Sequence, residues 1–105
     1  MIFITGGKYQ GKTEFAKTFG LEVVDNLEEQ IKQWLQNDIN IDIEVNQLLS
    51  KKDIVIVCDE VGCGIVPIEK SERIYREVVG RTACILAKHA SAVYKVDCAI
   101  ARRLK

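Results

Sequence analysis

A glycine-rich segment near the start of the chain carries the residue types that bind phosphate groups. Residues 6–13 have the sequence G-G-K-Y-Q-G-K-T and match the pattern G-x-x-x-x-G-K-S/T. Glycine at positions 6 and 11 lets the backbone turn so that its N–H groups converge on phosphate oxygens, and a helix that follows directs its positive end at the same point. The pattern therefore predicts a site for ATP or GTP formed by Gly6, Gly7, Lys8, Gln10, Gly11, Lys12 and Thr13.

Two side chains of this segment have chemistry of their own. Lys12 would neutralise the charge of the β- and γ-phosphates, which makes it both a binding and a catalytic residue. The Thr13 hydroxyl is suited to Mg²⁺, which prefers oxygen ligands. We therefore expect a bound Mg²⁺ as well as a nucleotide.

Acidic residues follow two apolar runs in the way expected of a magnesium-binding strand end. Asp59 comes after the β-branched run 54–58, and Asp25 comes after the shorter run 21–24. In a P-loop protein, a carboxylate on a neighbouring strand end holds Mg²⁺. Each residue has a structural alternative, because Asp25 could cap the helix that follows and Asp59 could be a solvated strand end. Glu60 is the candidate base that orients or deprotonates a substrate hydroxyl.

An α/β fold would bring these residues together. Apolar runs alternate with helical patterns along the chain, which is typical of a parallel sheet covered by helices. The predicted strands are Met1–Thr5, Leu21–Val24, Ile54–Cys58 and Ala92–Val96. We expect a P-loop NTPase-like domain of three layers, with a mainly parallel central sheet and ligands at the carboxyl ends of its strands. The phosphate loop should then lie close to Asp59.

Helical spacing predicts the elements between the strands. The predicted helices are Lys12–Phe19, ended by Gly20, then residues 26–36 and residues 70–89. Asp25 and Glu28 have the spacing of a capping box in front of the second helix. Residues 39–49 fit both a strand and a helix, and helix is favoured because a parallel strand at 54–58 needs a crossover element before it. In the long helix, the residues predicted to face inward are Ile74, Val78, Ile85 and Leu86.

Composition limits the class of protein. The chain has 105 residues, and its 15 Lys and Arg balance 15 Asp and Glu. This length fits a single domain over residues 1–105, and the zero net charge argues against a nucleic-acid-binding protein. No apolar run approaches the roughly 20 residues that span a bilayer, so we expect a cytoplasmic protein. Cys58, Cys84 and Cys98 are predicted to be buried, and Cys63, which lies among glycines, to be exposed.

Residues 59–67, D-E-V-G-C-G-I-V-P, resemble the adenosylcobinamide kinase/adenosylcobinamide-phosphate guanylyltransferase family, which carries an E-V-G-x-G-I-V-P segment after a strand. Residues 73–81 are similar to the family's R-x-F-R-D-x-x-G-R helix, and residues 23–27 to its strand end L-L-D-C-L-T. The phosphate loop resembles T-G-G-x-x-S-G-K-S, with Gln10 and Thr13 in place of serines. The resemblance implies a homo-oligomeric enzyme of cobalamin biosynthesis that uses a nucleotide and a corrinoid substrate.

One segment of that family is missing from this chain. In the family, a strand and a helix precede the D-C-L-T strand end, and that helix carries the histidine that becomes guanylylated. Here Gly20 leads directly into residues 21–25, and the only histidine, His89, matches no motif of the family. We therefore expect transfer of the γ-phosphoryl group of ATP or GTP to a hydroxyl such as that of adenosylcobinamide, without guanylyl transfer. The alternative is a catalytically degenerate nucleotide-binding subunit with a regulatory or assembly role.

Overall fold

A five-stranded sheet forms the centre of the structure, a computed structural model that describes residues 1–61 and 69–105. The strands are β1 (Ile2–Gly6), β2 (Glu22–Val24), β3 (Ile54–Asp59), β4 (Ala92–Asp97) and β5 (Ile100–Arg103). They lie in the order β2-β3-β1-β4-β5. The first four strands are parallel, and β5 pairs with β4 in the antiparallel direction. The prediction of an α/β fold with a mainly parallel sheet is confirmed.

Four helices in the described residues connect the strands. They are α1 (Lys12–Lys17), α2 (Leu27–Gln36), α3 (Ile41–Ser50) and α4 (Lys70–His89). The ambiguous segment around residues 39–49 is helical, as favoured, and the Asn40 side chain caps α3 by accepting a hydrogen bond from the Ile43 N–H at 3.3 Å. The first helix ends two residues earlier than predicted, and Gly20 follows it with a φ of +68°.

The sheet separates two apolar clusters, which gives the predicted three layers. Alternate residues of a strand point to opposite faces. On one face, Phe3, Ile56 and Val93 pack with apolar residues of α2, α3 and α4. On the other face, Ile4, Val55 and Val57 pack with residues of α1. Because β1 and β3 are covered on both faces, they form the rigid base from which the polar residues at their carboxyl ends project.

The hairpin formed by β4 and β5 was not predicted. Ala92–Val96 was predicted as the last strand, but β4 extends to Asp97 and a further strand follows. The turn between them consists of Cys98 and Ala99, whose φ angles of +49° and +63° are typical of a type I′ hairpin turn. Asparagine and glycine usually occupy such a turn, and every residue of β5 is exposed, so neither the turn nor an apolar pattern indicated this strand.

Some predictions of burial were wrong. Ile74 is 42% exposed, because Tyr75, on the adjacent side of α4, packs against the core in this turn of the helix. Cys84 and Cys98 are exposed, the first on the outer side of α4 and the second in the hairpin turn. Cys58 is buried in β3, as predicted, and this burial raises the pKa of its thiol to about 12. Cys63 lies outside the described residues.

The length and apolar character of the helices decide whether any of them could cross a membrane. Within residues 1–61 and 69–105, no helix combines the length and the apolar character that a bilayer span requires.

Candidate functional site

The glycine-rich loop lies at the carboxyl end of β1, the middle strand of the sheet. Gly6 has a φ of +147°, and a Cβ atom at this position would lie 2.4 Å from the backbone oxygen of Val96. Gly11 has a φ of +91°, and its Cβ atom would lie 3.3 Å from the Cα atom of Ala99. A side chain at Gly6 would therefore clash with β4, whereas one at Gly11 would make a tight contact with the hairpin turn, and the positive φ of both residues favours glycine.

Lys12, the first residue of α1, is buried although it is charged, with 5% of its surface exposed. Its Nζ atom lies 2.7 Å from Oδ1 of Asp59 and also donates a hydrogen bond to the Gly7 carbonyl oxygen. The phosphate loop and the end of β3 are therefore in contact, as predicted. A buried ammonium group needs such partners, because removing it from water is costly.

Thr13 and Asp25 are in contact across the loop. The Thr13 hydroxyl donates a hydrogen bond of 2.9 Å to Oδ2 of Asp25, and the other carboxylate oxygen accepts the Asn26 N–H at 2.9 Å. The capping box predicted from Asp25 and Glu28 is not formed. The N-cap of α2 is Asn26, which has a φ of +52° and makes no side-chain capping bond. The Asp25 carboxylate faces the phosphate loop instead.

Glu28 is a residue of this cleft that sequence reasoning assigned to the wrong role. It is 2% exposed, and its Oε1 atom accepts the backbone N–H of Asp59 at 2.8 Å. Its Oε2 atom accepts the Glu29 N–H at 3.2 Å. Burial raises the pKa of the Glu28 carboxyl, and the negative charge of Asp59 adds to this effect. The spacing that suggested a cap was the only signal of its importance, because the sequence does not show that β3 ends beside α2.

Gln10 occupies the loop, but its side chain points to the hairpin between β4 and β5. The Oε1 atom of Gln10 accepts the Cys98 N–H at 2.6 Å, and its backbone oxygen accepts the Ala99 N–H at 2.8 Å. These bonds connect the loop to an element that the sequence did not indicate. Lys8 lines the cleft, and the neighbouring Tyr9 lines it with a fully exposed side chain.

Glu60 lies next to Asp59 but does not line the same cleft. Its Oε1 atom is 3.5 Å from Nζ of Lys95, and its N–H donates to the Gly6 carbonyl oxygen at 2.9 Å. It borders a smaller cavity of about 180 Å³ that Thr5, Val79 and Gly80 also line. Asp59 lines both cavities. Residues 62–67 of the motif that begins at Glu60 lie outside the described residues.

The main cleft has the size and donor atoms for a nucleotide with a cation. Its volume is about 530 Å³, within the range of small-molecule sites. Thr13, Asp25 and Asp59 supply only oxygen atoms, the ligands that suit Mg²⁺. In the described part of the chain, no group of three or more His, Cys, Asp or Glu side chains forms a metal site. A Mg²⁺ bound mainly by phosphates and water needs only one or two protein carboxylates, so the residues fit this ion.

His89 lies near the amino ends of the parallel strands, at the opposite end of the sheet from the phosphate loop. It ends α4, and the strand that follows pairs with β1 so that Ala92 lies beside Ile2. The loop follows the other end of β1. The His89 ring is exposed, with its Nδ1 atom 2.9 Å from the Ile85 carbonyl oxygen. His89 is therefore a surface residue that lies away from the phosphate loop.

The sheet, its flanking helices and the loop after β1 define an α/β protein of the P-loop type. The chain belongs to the cobinamide kinase / cobinamide phosphate guanyltransferase family, because the sequence model of that family matches residues 18–104. The family indicates a nucleotide-binding role related to cobalamin biosynthesis. The match begins after the phosphate loop, so the loop motif is an independent indication of nucleotide binding. A search of the curated proteins gave no match.

Proposed function

We propose that the protein is a single nucleotide-binding domain that holds ATP or GTP with Mg²⁺ and transfers the γ-phosphoryl group to a hydroxyl of a corrinoid such as adenosylcobinamide. One observation carries this proposal. Lys12, Thr13, Asp25 and Asp59 come from three separate parts of the chain, and they meet around the phosphate loop through contacts of 2.7 and 2.9 Å. Phosphoryl transfer needs this combination of one cation, one hydroxyl and carboxylates beside a glycine-rich loop.

The residues around the phosphate loop would have two separate roles in phosphoryl transfer, binding of the phosphates and binding of the metal ion. The N–H groups of residues 6–13 and the ammonium group of Lys12 would hold the phosphates and offset charge in the transition state. Thr13, Asp25 and Asp59 would hold Mg²⁺, which supplies further charge neutralisation when it is bound. In the structure Lys12 is paired with Asp59 and Thr13 with Asp25, so both side chains would change partners when the nucleotide binds.

Glu60 would act on the acceptor. Because Asp59 lines both cavities, a group bound beside Glu60 would lie next to the nucleotide cleft. The pairing with Lys95 holds the Glu60 carboxylate at the edge of the smaller cavity, where it could accept a hydrogen bond from a substrate hydroxyl. We assign Glu60 as the base on these grounds.

A turnover assay tests the proposal. The purified protein is incubated with Mg²⁺, adenosylcobinamide and ATP or GTP labelled at the γ-phosphate. We expect label to appear in adenosylcobinamide phosphate, and the Asp59→Asn variant to lose this product because it lacks a carboxylate for the ion. Nucleotide binding without labelled product would contradict the kinase assignment and support the alternative below.

The alternative is a nucleotide-binding subunit that has lost catalysis. A specific observation favours it: α1 ends at Lys17 and β2 begins at Glu22, so only residues 18–21 connect them. The family segment that stood between these elements would have contributed to the walls of a cleft for a large corrinoid. Under this alternative, the site around Lys12 binds nucleotide in the same way, but no acceptor is phosphorylated.

We predict that the protein forms no covalent adduct with GMP when it is incubated with GTP and Mg²⁺. A phosphoramidate bond needs an imidazole nitrogen within reach of the α-phosphate, and His89 is the only imidazole in the chain. Since His89 lies at the end of the sheet away from the phosphate loop, intact-protein mass spectrometry should show an unchanged mass. A mass increase of one GMP that disappears in His89→Ala would contradict this prediction.

A further inference from the structure

Glu28 is a buried carboxylate in the cleft that the proposed reaction does not use. Its side chain reaches from the first turn of α2 to the end of β3, where Oε1 accepts the Asp59 N–H at 2.8 Å. Its other oxygen accepts the Glu29 N–H at 3.2 Å, at the positive end of the same helix. Glu28 therefore joins α2 to the backbone of the residue that faces the phosphate loop.

The position of Asp59 has two kinds of support. Its carboxylate is held by Lys12 at 2.7 Å, and its backbone is held by Glu28 and by the pairing of β3 with β1, in which it lies beside Gly6. If Lys12 turns to the phosphates of a nucleotide, the first support is lost. The bond from Glu28 then remains and, among the described residues, is the carboxylate contact that holds the Asp59 backbone at this end of β3.

We infer that Glu28 is a positioning residue, which holds Asp59 toward the phosphate loop while Lys12 exchanges Asp59 for a phosphate group. This inference rests on the proposed function, since it concerns the same nucleotide site. The consequence is specific: Glu28 contributes to the part of nucleotide affinity that depends on Mg²⁺, because that part needs the Asp59 carboxylate. It contributes little to binding without the ion, which depends on the loop and on Lys12.

The experiment measures the affinity for ATP and GTP by calorimetry, once with Mg²⁺ and once with EDTA, in the wild-type protein and in variants. Glu28→Ala removes the bond to Asp59, and Glu28→Asp keeps the charge but shortens its reach. We expect both variants to reduce the gain in affinity given by Mg²⁺ by about tenfold, the typical effect of losing a hydrogen bond to a charged group. Glu28→Gln keeps an oxygen facing Asp59 and should retain most of the gain.

The outcomes separate this inference from the proposed function. Asp42→Ala is the matched control, because Asp42 is an exposed carboxylate in the first turn of α3, outside the cleft. An unchanged gain in folded Glu28→Ala or Glu28→Asp would overturn the inference and leave nucleotide binding intact. A loss in Glu28→Gln as large as in Glu28→Ala would overturn it too, because the acceptor atom is retained. If Glu28→Ala does not fold, Glu28→Asp decides. A wild-type protein that binds neither nucleotide would overturn the proposed function and this inference together.

Discussion

Lys12→Ala is expected to abolish nucleotide binding or to weaken it by about tenfold or more. Lys12 is the first residue of α1, and its buried ammonium group is held between Asp59 and the Gly7 carbonyl. Its removal takes away the loop cation that would meet the β- and γ-phosphates and leaves Asp59, a negative charge, facing the place where they would bind. Calorimetry with ATP and GTP in the presence of Mg²⁺ measures the effect.

Lys17→Ala is the matched control for that experiment. Lys17 belongs to the same helix, but its side chain is 65% exposed and is paired only weakly with Glu14 at 3.5 Å. We expect its affinity for nucleotide to stay within about twofold of the wild-type value. Lys12→Met keeps most of the apolar part of the side chain and removes the charge, so it tests the prediction if Lys12→Ala does not fold. Wild-type affinity in a folded Lys12 variant would remove the assignment of the phosphate loop.

Gly6→Ala is expected to lower the free energy of unfolding by roughly 3 kcal/mol and to disrupt the phosphate loop. Gly6 ends β1 with a φ of +147°, and a Cβ atom would lie 2.4 Å from the Val96 backbone oxygen. That oxygen belongs to β4 and cannot move away without disturbing the sheet. Chemical denaturation measures the change in stability, and calorimetry with nucleotide measures the effect on the loop.

Gly20→Ala is the control that distinguishes the effect of the close contact at Gly6 from the effect of a positive φ alone. Gly20 also has a positive φ, +68°, but among the described residues no heavy atom beyond its chain neighbours lies within 4 Å of the position of a Cβ atom. We expect a cost of about 1 kcal/mol, from the left-handed conformation alone, and unchanged nucleotide affinity. Equal costs for the two variants would contradict the explanation by contact with Val96.

Local patterns in the sequence were sufficient for the phosphate loop and for the strand that faces it. A motif of eight residues between an apolar run and a helical pattern placed Lys12 and Thr13, and the β-branched run before Asp59 indicated an interior strand. Parallel strands have their carboxyl ends at the same end of a sheet, so the proximity of the loop to Asp59 followed from the fold class. The ion pair between Lys12 and Asp59 was not predicted. The resemblance in residues 59–67 and 73–81 indicated the family, which the match over residues 18–104 shows.

The roles of Asp25, Glu28 and Gln10 depended on the tertiary structure. In the sequence, Asp25 and Glu28 have the spacing of a helix cap, yet in the folded chain each carboxylate has a partner outside α2. Asp25 accepts a hydrogen bond from the Thr13 hydroxyl, and Glu28 accepts one from the Asp59 N–H. Gln10 binds the turn between β4 and β5, which lacks the usual turn residues, and the second strand of this hairpin, β5, has no buried side chain. The sequence determined by itself which residues form the loop and the four parallel strands, because those patterns are local. Which polar side chains support the site was decided by contacts between distant segments, which only folding brings together.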